Sequence, residues 1–213
     1  IQNGNIFYHG SIPFTEDGEL KEVEFLGKKY KGRTYIQMLD EQIREARFNP
    51  PEGKTNAEAA SVMWYLWLSE NSPLFGKDKM TTFERYFIAD KAIWKEEKGA
   101  YYELSNRRDI CEQILCEFGL DPENSRIVNG HIPVRTIKGE TPTRAEGKRF
   151  VIDGGFSKPY QEKTGIAGYT LIYNSFGIQL VEHEEFESRE QAIRSGSDIH
   201  NRIQLTNFAS HRM

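Results

Sequence analysis

The sequence has few cysteines, no long apolar run and no excess of positive charge, and each absence excludes a class of protein. No stretch approaches the roughly 18 apolar residues of a membrane helix, so we expect no membrane partner. A net charge of −4 lacks the basic excess that is typical of nucleic-acid-binding proteins, so no nucleic-acid partner is expected either.

The two cysteines, Cys111 and Cys116, fall in one predicted helix over residues 106–118. Their five-residue offset places them about 140° apart around the helix axis, which disfavours a disulfide between them. Their spacing also differs from the two-residue spacing of zinc and redox pairs. We therefore expect two small residues on or near a core face, and a protein of the reducing cytoplasm.

The composition that is present supports a folded core. Of the 213 residues, 38% are hydrophobic and 12% are aromatic, which excludes wholesale disorder and suits one domain or slightly more. The chain begins Ile1-Gln2-Asn3, without an initiator methionine or a signal peptide. We expect it to be part of a longer protein.

The first 120 residues show mainly helical patterns. A short strand over residues 5–8 and a hairpin over 22–31 precede helices over 35–48, 56–69 and 106–118. The second helix is apolar almost all round, so we expect it to be buried on most sides, with Trp64 and Trp67 in the core. Thr81 and Glu84 have the spacing of a capping box for a short helix that extends to about Lys91.

From residue 126 the pattern changes to strands. Strands are predicted over 126–129 and 150–153, a hairpin over 169–183, and a terminal helix capped by Ser188. The fold class is mixed α and β (α/β), with a helical insertion over about residues 30–120 and C-terminal strands over 126–186.

Two histidines occupy matching positions at the ends of strands. His9 and His131 each follow an apolar run, adjoin a glycine and precede an Ile-Pro pair. Side chains at the carboxyl ends of sheet strands converge on a shared crevice, and imidazole is a frequent ligand of transition metals. Two ligands of one metal ion are one interpretation. The other is a pair of hydrogen-bonded structural histidines, because a metal usually takes three or four ligands.

Longer motifs carry a family resemblance. Residues 129–134 resemble the Gly-His-x-Pro motif of calcineurin-like metallophosphatases, and residues 7–10 resemble the His-Gly motif of their phosphoprotein-phosphatase-like branch. The chain is most similar to the class III fructose-1,6-bisphosphatases, from about residue 5 to residue 190. The matching segments are residues 64–67, 72–77, 80–87, 138–140, 151–158 and 164–171.

The resemblance implies a manganese-dependent phosphomonoesterase of gluconeogenesis that removes the 1-phosphate of fructose 1,6-bisphosphate. It implies a calcineurin-like sandwich in which His9 and His131 ligate the same ion of a two-metal site. The family's upstream motifs, Gly-Asp-x-His-Gly, Gly-Asp-x-x-Asp-Arg-Gly and Gly-Asn-His-Asp, are absent from the sequence. The expectation is therefore the C-terminal portion of the enzyme, over residues 1–213, without the N-terminal metal-binding half, without a catalytic residue and inactive alone.

Four further residues are candidates for the site. Lys158 and Tyr160 follow the Asp-Gly-Gly turn and could contact a substrate phosphate, or be a solvated lysine and a packed tyrosine. Asp153 could bind metal, accept a hydrogen bond from a ligating histidine, or only cap the turn. Arg85 could contact phosphate, but an arginine on an amphipathic helix is more often paired or exposed.

The resemblance also implies partners. They are the substrate, the effectors AMP and phosphoenolpyruvate, the N-terminal half of the enzyme and a second copy in a homo-oligomer. One alternative function is a regulatory or assembly module, with the effector site or a subunit interface in the helical insertion. Another is a phosphoprotein phosphatase fragment, which residues 64–87 disfavour because they resemble the sugar phosphatases.

Overall fold

The computed structural model describes residues 1–48, 57–154, 162–165, 168–174, 177–183, 188–195 and 201–206. The chain divides into two compact units, Ile1–Ile127 and Val128–Met213. Helices and strands both occur, which confirms the mixed α and β class. Among the described helices, none is both long enough and apolar enough to cross a membrane.

Within its described residues, the first unit contains three strands, five α-helices and a 3₁₀ helix over Lys91–Trp94. The strands are β1 (Ile6–Phe7), β2 (Val23–Phe25) and β3 (Lys28–Tyr30), and the helices are α1 (Gly32–Phe48), α2 (Ala57–Leu68), α3 (Thr82–Phe87), α4 (Tyr101–Leu104) and α5 (Arg108–Glu117). β2 and β3 form the predicted hairpin. Its two-residue turn, Leu26-Gly27, has positive φ at both positions, as a type I′ turn requires.

The core of the first unit lies where α1 and α2 pack against this hairpin. Its buried residues are Val23, Phe25, Tyr35, Met38, Leu39, Val62 and Leu66. The hydroxyl of Tyr35 donates a hydrogen bond to the carbonyl oxygen of Asn71 at 3.1 Å and lies 2.8 Å from the hydroxyl of Tyr65. Burial and the bond with Tyr65 both raise the pKa of the Tyr35 phenol. This tyrosine is therefore a neutral, hydrogen-bonded part of the core.

Helix α2 is less buried than its composition predicts. Val62 and Leu66 face the core, whereas Met63, Trp64, Trp67 and Leu68 are exposed. Trp64 is 62% exposed and Trp67 is 50% exposed, so the expectation that both belong to the core is wrong for this chain. The cause is geometric, because α1 and the hairpin cover one side of the helix and leave the apolar opposite side exposed.

Helix α3 begins where the sequence predicts but ends at Phe87 rather than Lys91. The side chain of Thr81 makes no capping hydrogen bond to the helix backbone, so the predicted capping box is wrong. Glu96 accepts a hydrogen bond from the backbone N–H of Thr81 at 2.9 Å, the role expected of Glu84. A carboxylate 15 residues along the chain therefore replaces the local partner.

Helix α5 agrees with its prediction to within two residues. Gly119 (φ +73°) donates its N–H to Cys116, and the N–H of Leu120 bonds the carbonyl of Leu115, which together make a Schellman motif. Cys111 is buried as expected, but Cys116 is exposed, which corrects its assignment to a core face. Neither cysteine forms a disulfide.

The second unit begins within β4 (Ile127–Asn129), whose first residue belongs to the first unit. Its further elements are β5 (Thr143–Arg144), β6 (Arg149–Val151), β7 (Gly168–Asn174), β8 (Gly177–His183), α6 (Arg189–Ser195) and β9 (Asn201–Thr206). β5 pairs antiparallel with β6, and β7, β8 and β9 form an antiparallel sheet. The β7–β8 hairpin and the Ser188 cap of α6 were both predicted, and Ser188 accepts the N–H of Gln191 at 3.1 Å.

Candidate functional site

His9 lies in a loop of the first unit, two residues after the end of β1, and is exposed. On its N-terminal side, the hydroxyl of Tyr8 lies 2.7 Å from the hydroxyl of Tyr101 in α4. On its C-terminal side, the N–H of Ser11 donates to the carbonyl oxygen of Pro73 at 2.8 Å. The backbone that carries His9 is therefore attached to the helical part of the unit on both sides.

Ser11 bonds to a loop formed by residues 72–76, which we call the brace loop. Ser72 is fully buried, and its hydroxyl donates to the carbonyl oxygen of Leu66 in α2 at 2.6 Å. The hydroxyl of Tyr102 in α4 donates to the carbonyl oxygen of Phe75 at 2.6 Å. These bonds connect the brace loop to two helices.

A polar network follows the brace loop. Glu96 accepts hydrogen bonds from Lys77 Nζ at 2.7 Å and from the N–H of Thr81. Arg85 donates from Nε to Thr81 Oγ1 at 2.9 Å and from Nη2 to the carbonyl oxygen of Trp94 at 3.1 Å. Arg85, a candidate phosphate contact, thus uses its guanidinium in hydrogen bonds within the first unit, and its side chain is half exposed.

This network lowers the pKa of Glu96. Partial burial acts to raise it, but the hydrogen bonds from Lys77 and Thr81 outweigh burial and hold the pKa at about 2, against an ordinary value of 4.5. Because the pKa is lower in the folded state, the stabilisation is complete above about pH 4.5 and is lost as the pH falls towards 2.

We expect Glu96→Gln to lower the free energy of unfolding at pH 7 by about 2 kcal/mol, since it removes a charge-assisted bond and leaves Lys77 without its counter-charge. Urea denaturation at pH 7 and at pH 3 measures this, and the difference between variant and parent should shrink at the lower pH. Glu97→Gln is the matched control, because Glu97 pairs with Lys95 on the surface. Equal stability losses in the two variants would contradict the assignment.

His131 lies in the second unit, two residues after the end of β4. Its φ is +68°, and the N–H of Ile132 bonds the carbonyl oxygen of Gly130 at 2.9 Å across it. A two-residue hydrogen bond around a positive φ is the rarer and more strained form of the γ-turn. Strain of this kind persists where the surroundings hold it and is often found at functional sites.

Strand β6 and the residues after it hold the turn that carries His131. The N–H of Ile152 bonds the carbonyl of Asn129 at 2.9 Å, and Arg149 Nη1 donates to Asn129 Oδ1 at 3.3 Å. The carbonyl oxygen of Asp153 accepts the N–H of Val134 at 2.8 Å. Asp153 thus supports the histidine loop through its backbone, a contribution that the sequence did not predict.

In the segment after His131, Glu140 forms ion pairs with Arg135 and Arg144. Glu140 accepts from Arg135 Nε at 3.0 Å and Nη2 at 2.7 Å, and Arg144 Nη2 lies 3.4 Å away. Burial acts to raise the pKa of Glu140, but the bonds from Arg135 and the charge of Arg144 lower it overall. Glu140 lies in one of the segments that carried the family resemblance, and the structure gives it this structural role.

The candidates are distributed over both units. His9 and Arg85 belong to the first unit, and His131 and Asp153 belong to the second. Lys158 and Tyr160 lie outside the described residues. Within the described ranges, no group of three or more His, Cys, Asp or Glu side chains is placed to hold a metal ion. The imidazole groups suit a divalent transition metal, but two nitrogen donors are fewer than such an ion requires.

A cavity of about 250 Å³ in the first unit adjoins Ser11 and the end of the brace loop. Its charged lining comprises Lys21, Lys77 and Lys98 with Glu16, Glu70, Asp78 and Glu97. Lys21 is paired with Glu70 at 3.0 Å, and Lys77 is paired with Glu96. The lining has no excess of positive charge, so it does not favour a phosphate group.

Sequence reasoning missed three contributors to these loops. The Tyr8–Tyr101 bond joins residues 93 positions apart, and nothing in either local pattern indicates it. For the bond from Arg149 to Asn129, the available signal was an arginine at the start of an apolar run. Arg149 is only 5% exposed in the structure. The backbone of Pro73 and Leu74 lies so close to Gly10 that it would clash with a Cβ atom there, and this approach has no sequence signal beyond the glycine itself.

Comparison with known proteins identifies the chain's relatives. The family described as Firmicute fructose-1,6-bisphosphatase matches residues 1–213. The class 3 fructose-1,6-bisphosphatase of Bacteroides thetaiotaomicron is 54% identical over 214 residues, which are 100% of this chain and 32% of the relative. The protein of the same name from Clostridium acetobutylicum is 55% identical over 197 residues, 92% of this chain and 30% of the relative. No solved structure matches the chain.

The chain spans about a third of the length of these curated relatives. The match nevertheless covers all 213 residues and includes both histidine loops, the brace loop and the Glu140 segment. The chain belongs to the class 3, or Firmicute, fructose-1,6-bisphosphatase family.

Proposed function

We propose that this chain is the C-terminal portion of a metal-dependent phosphatase that hydrolyses fructose 1,6-bisphosphate to fructose 6-phosphate and phosphate. The observation that carries the proposal is the 54% identity over the whole chain with a protein of that name. The proposed fold of the complete enzyme is a calcineurin-like sandwich, with the helical insertion between the strands that precede His9 and His131.

His9 and His131 are the proposed metal ligands of this portion. Each has a side chain that is at least partly exposed, and each lies on a backbone segment that hydrogen bonds attach to a neighbouring element. A ligand must hold its nitrogen steadily in place, and such attachment provides this. We propose Mn²⁺ as the ion, with its remaining ligands supplied by the rest of the enzyme.

Divalent ions in such a site polarise a phosphoryl group and neutralise the charge that develops during its transfer. The contribution of this chain is to place two imidazole nitrogens. The strained turn at His131 sets the direction in which one side chain leaves the backbone, and the attachments of Tyr8 and Ser11 hold the loop of the other. Lys158 and Tyr160 are proposed to bind the sugar phosphate, and Asp153 is proposed to orient a ligating histidine through its carboxylate.

The complete enzyme with Mn²⁺ is expected to release phosphate from fructose 1,6-bisphosphate and to leave a phosphoserine peptide nearly untouched. Phosphate release with each substrate at equal concentration measures this preference. Chelation by EDTA should abolish the activity, and added Mn²⁺ should restore it. A higher kcat/KM on the phosphopeptide would favour the phosphoprotein phosphatase alternative and overturn the proposal.

An assembly role for the helical insertion is a second proposal, and one observation favours it. Met63, Trp64, Trp67 and Leu68 of α2 are exposed, as are Phe83, Tyr86 and Phe87 of α3. Helices that are apolar all round normally become buried, and exposed apolar faces often mark interaction surfaces. Since the curated relatives are about three times as long as this chain, we propose that the rest of the enzyme covers these faces.

Hydroxyl-radical footprinting of the complete enzyme tests this assembly proposal. Leu26, in the β2–β3 turn, is 77% exposed and is the internal control. We expect slower oxidation of Trp64 and Phe87 than of Leu26, although aromatic rings react more readily with the radical. Faster oxidation of both aromatic residues would show that their faces remain open to solvent.

AMP and phosphoenolpyruvate are the proposed effectors, and a homo-oligomer is a proposed assembly. Calorimetric titration of the complete enzyme with each compound, together with its mass in solution, tests both. Heat of binding with a saturable midpoint would support the effector role. A monomer that gives no heat with either compound would contradict both proposals.

A further inference from the structure

We propose that the brace loop, residues 72–76, is a positioning element for His9: it fixes the path of the backbone at Gly10 and Ser11 and so sets where the imidazole lies. The inference rests on the proposed role of His9 as a metal ligand. It assigns a function to a segment that has no metal-binding or acid–base group of its own.

Gly10 shows how closely the two segments approach. A Cβ atom at Gly10 would lie 2.4 Å from the carbonyl oxygen of Leu74 and 2.5 Å from that of Pro73. Both are backbone atoms, which cannot rotate away as the end of a flexible side chain can. Gly10 is not among the glycines with positive φ, so space rather than backbone conformation requires glycine here. Any side chain at position 10 must therefore separate the His9 loop from the brace loop.

A second contact lies at the other end of the brace loop. A Cβ atom at Gly76 would lie 2.1 Å from Ser11 Oγ and 2.8 Å from Ser11 Cβ. Gly76 also has a φ of +57°, a conformation that side chains with a Cβ rarely adopt. Ser11 is thus held between the N–H bond to Pro73 and the bare backbone of Gly76. The two residues after His9 each fit against the brace loop with no room to spare.

The brace loop can act as a template because it is itself fixed. Within the loop, the N–H of Gly76 bonds the carbonyl oxygen of Ser72 at 3.0 Å. The carbonyl oxygen of Gly76 accepts the N–H of Gly99 at 2.9 Å. Together with the bonds of Ser72 to α2 and of Tyr102 to Phe75, these contacts tie it to three parts of the first unit. A displacement of the His9 loop therefore cannot be absorbed by an easy movement of the brace loop.

Residues that orient a metal ligand typically change metal affinity by about 10–100-fold when they are altered. We expect Gly10→Ala in the complete enzyme to weaken Mn²⁺ binding by this amount. Titration of the metal-free enzyme, with free Mn²⁺ followed by its electron paramagnetic resonance signal, measures the affinity without reference to turnover. Gly27→Ala is the matched control, because its φ of +74° strains alanine while no atom lies within 4 Å of the added Cβ. It should lower stability and leave Mn²⁺ affinity unchanged.

A rescue pair separates positioning from general damage to the fold. Gly76→Ala should weaken Mn²⁺ binding because its Cβ would push Ser11 aside. Adding Ser11→Gly removes the atoms that clash, although the strain of alanine at φ +57° persists. We expect the double variant to regain Mn²⁺ affinity within about threefold of the parent while remaining less stable than it. This pair also tests the proposal if Gly10→Ala fails to fold.

His9→Ala, measured in the same way, distinguishes the ligand role of His9 from the positioning role of the brace loop. If His9→Ala weakens Mn²⁺ binding while Gly10→Ala and Gly76→Ala bind as the parent does, the brace loop has no positioning role and the ligand assignment stands. If His9→Ala itself binds Mn²⁺ as the parent does, the ligand assignment fails and the positioning role fails with it. If Gly76→Ala and the double variant are equally impaired, the effect is structural and the inference is overturned.

Discussion

Replacing His131 with alanine in the complete enzyme is expected to lower kcat by about 10²-fold or more, with the fold retained. The expected loss follows from the proposed role of His131, because the variant would lack a nitrogen ligand of the ion that we propose acts on the transferring phosphoryl group. His131→Asn should be equally impaired. This variant distinguishes loss of the imidazole from a change in backbone conformation, because asparagine tolerates the positive φ that the structure shows at this position. Steady-state kinetics and circular dichroism of both variants measure the two expectations.

His183→Ala is the matched control for this experiment. The ring of His183 lies 2.7 Å from the hydroxyl of Thr170 across the β7–β8 hairpin, and no metal role is proposed for it. We expect it to keep turnover within a few-fold of the parent. Turnover near that of the parent in His131→Asn would show that the ring of His131 is not a ligand.

The 213-residue chain by itself is expected to show no hydrolysis of fructose 1,6-bisphosphate at any Mn²⁺ concentration. Its sequence lacks the upstream motifs to which we assign the remaining ligands of the proposed site, and its described residues contain no group of three or more His, Cys, Asp or Glu side chains placed to hold a metal ion. Phosphate release by the chain and by the complete enzyme at equal molar concentration gives the comparison. Turnover by the chain that responds to Mn²⁺ and disappears in His9→Ala would mean that it carries a complete site.

Elements specified by local patterns were predicted closely. The β2–β3 hairpin depends on a two-residue turn with positive φ at Leu26 and Gly27, and both the turn and its flanking strands were recognisable. The end of α5 depends on Gly119, whose left-handed conformation closes the helix. Such features involve residues a few positions apart, so the sequence contains nearly all of the information that determines them.

Features that depend on distant partners were not predictable in the same way. Thr81 and Glu84 have the spacing of a capping box, but Glu96 reaches the N–H of Thr81 instead. The composition of α2 indicates burial, but which of its sides a neighbour covers is a property of the assembled unit. Strand β9 was missed although residues 202–206 alternate between polar and apolar side chains, a signal that sequence reasoning overlooked.

The candidate site shows the same division. His9 and His131 were found from short motifs, since a histidine beside a glycine after an apolar run is a local pattern. The positive φ of His131, the support of its loop by Arg149 and Asp153, and the contact of Gly10 with the brace loop required the fold. Sequence alone therefore yields candidate ligands, whose role stays a prediction, and the structure adds how their backbones are held.

The most direct test of the account is a crystal structure of the complete enzyme with Mn²⁺, with the ions located by anomalous scattering. The account predicts anomalous peaks within coordination distance of an imidazole nitrogen of His9 and of His131, with the brace loop against Gly10 as it is here. Peaks that are coordinated only by residues outside this chain, with both imidazoles turned away from them, would contradict it.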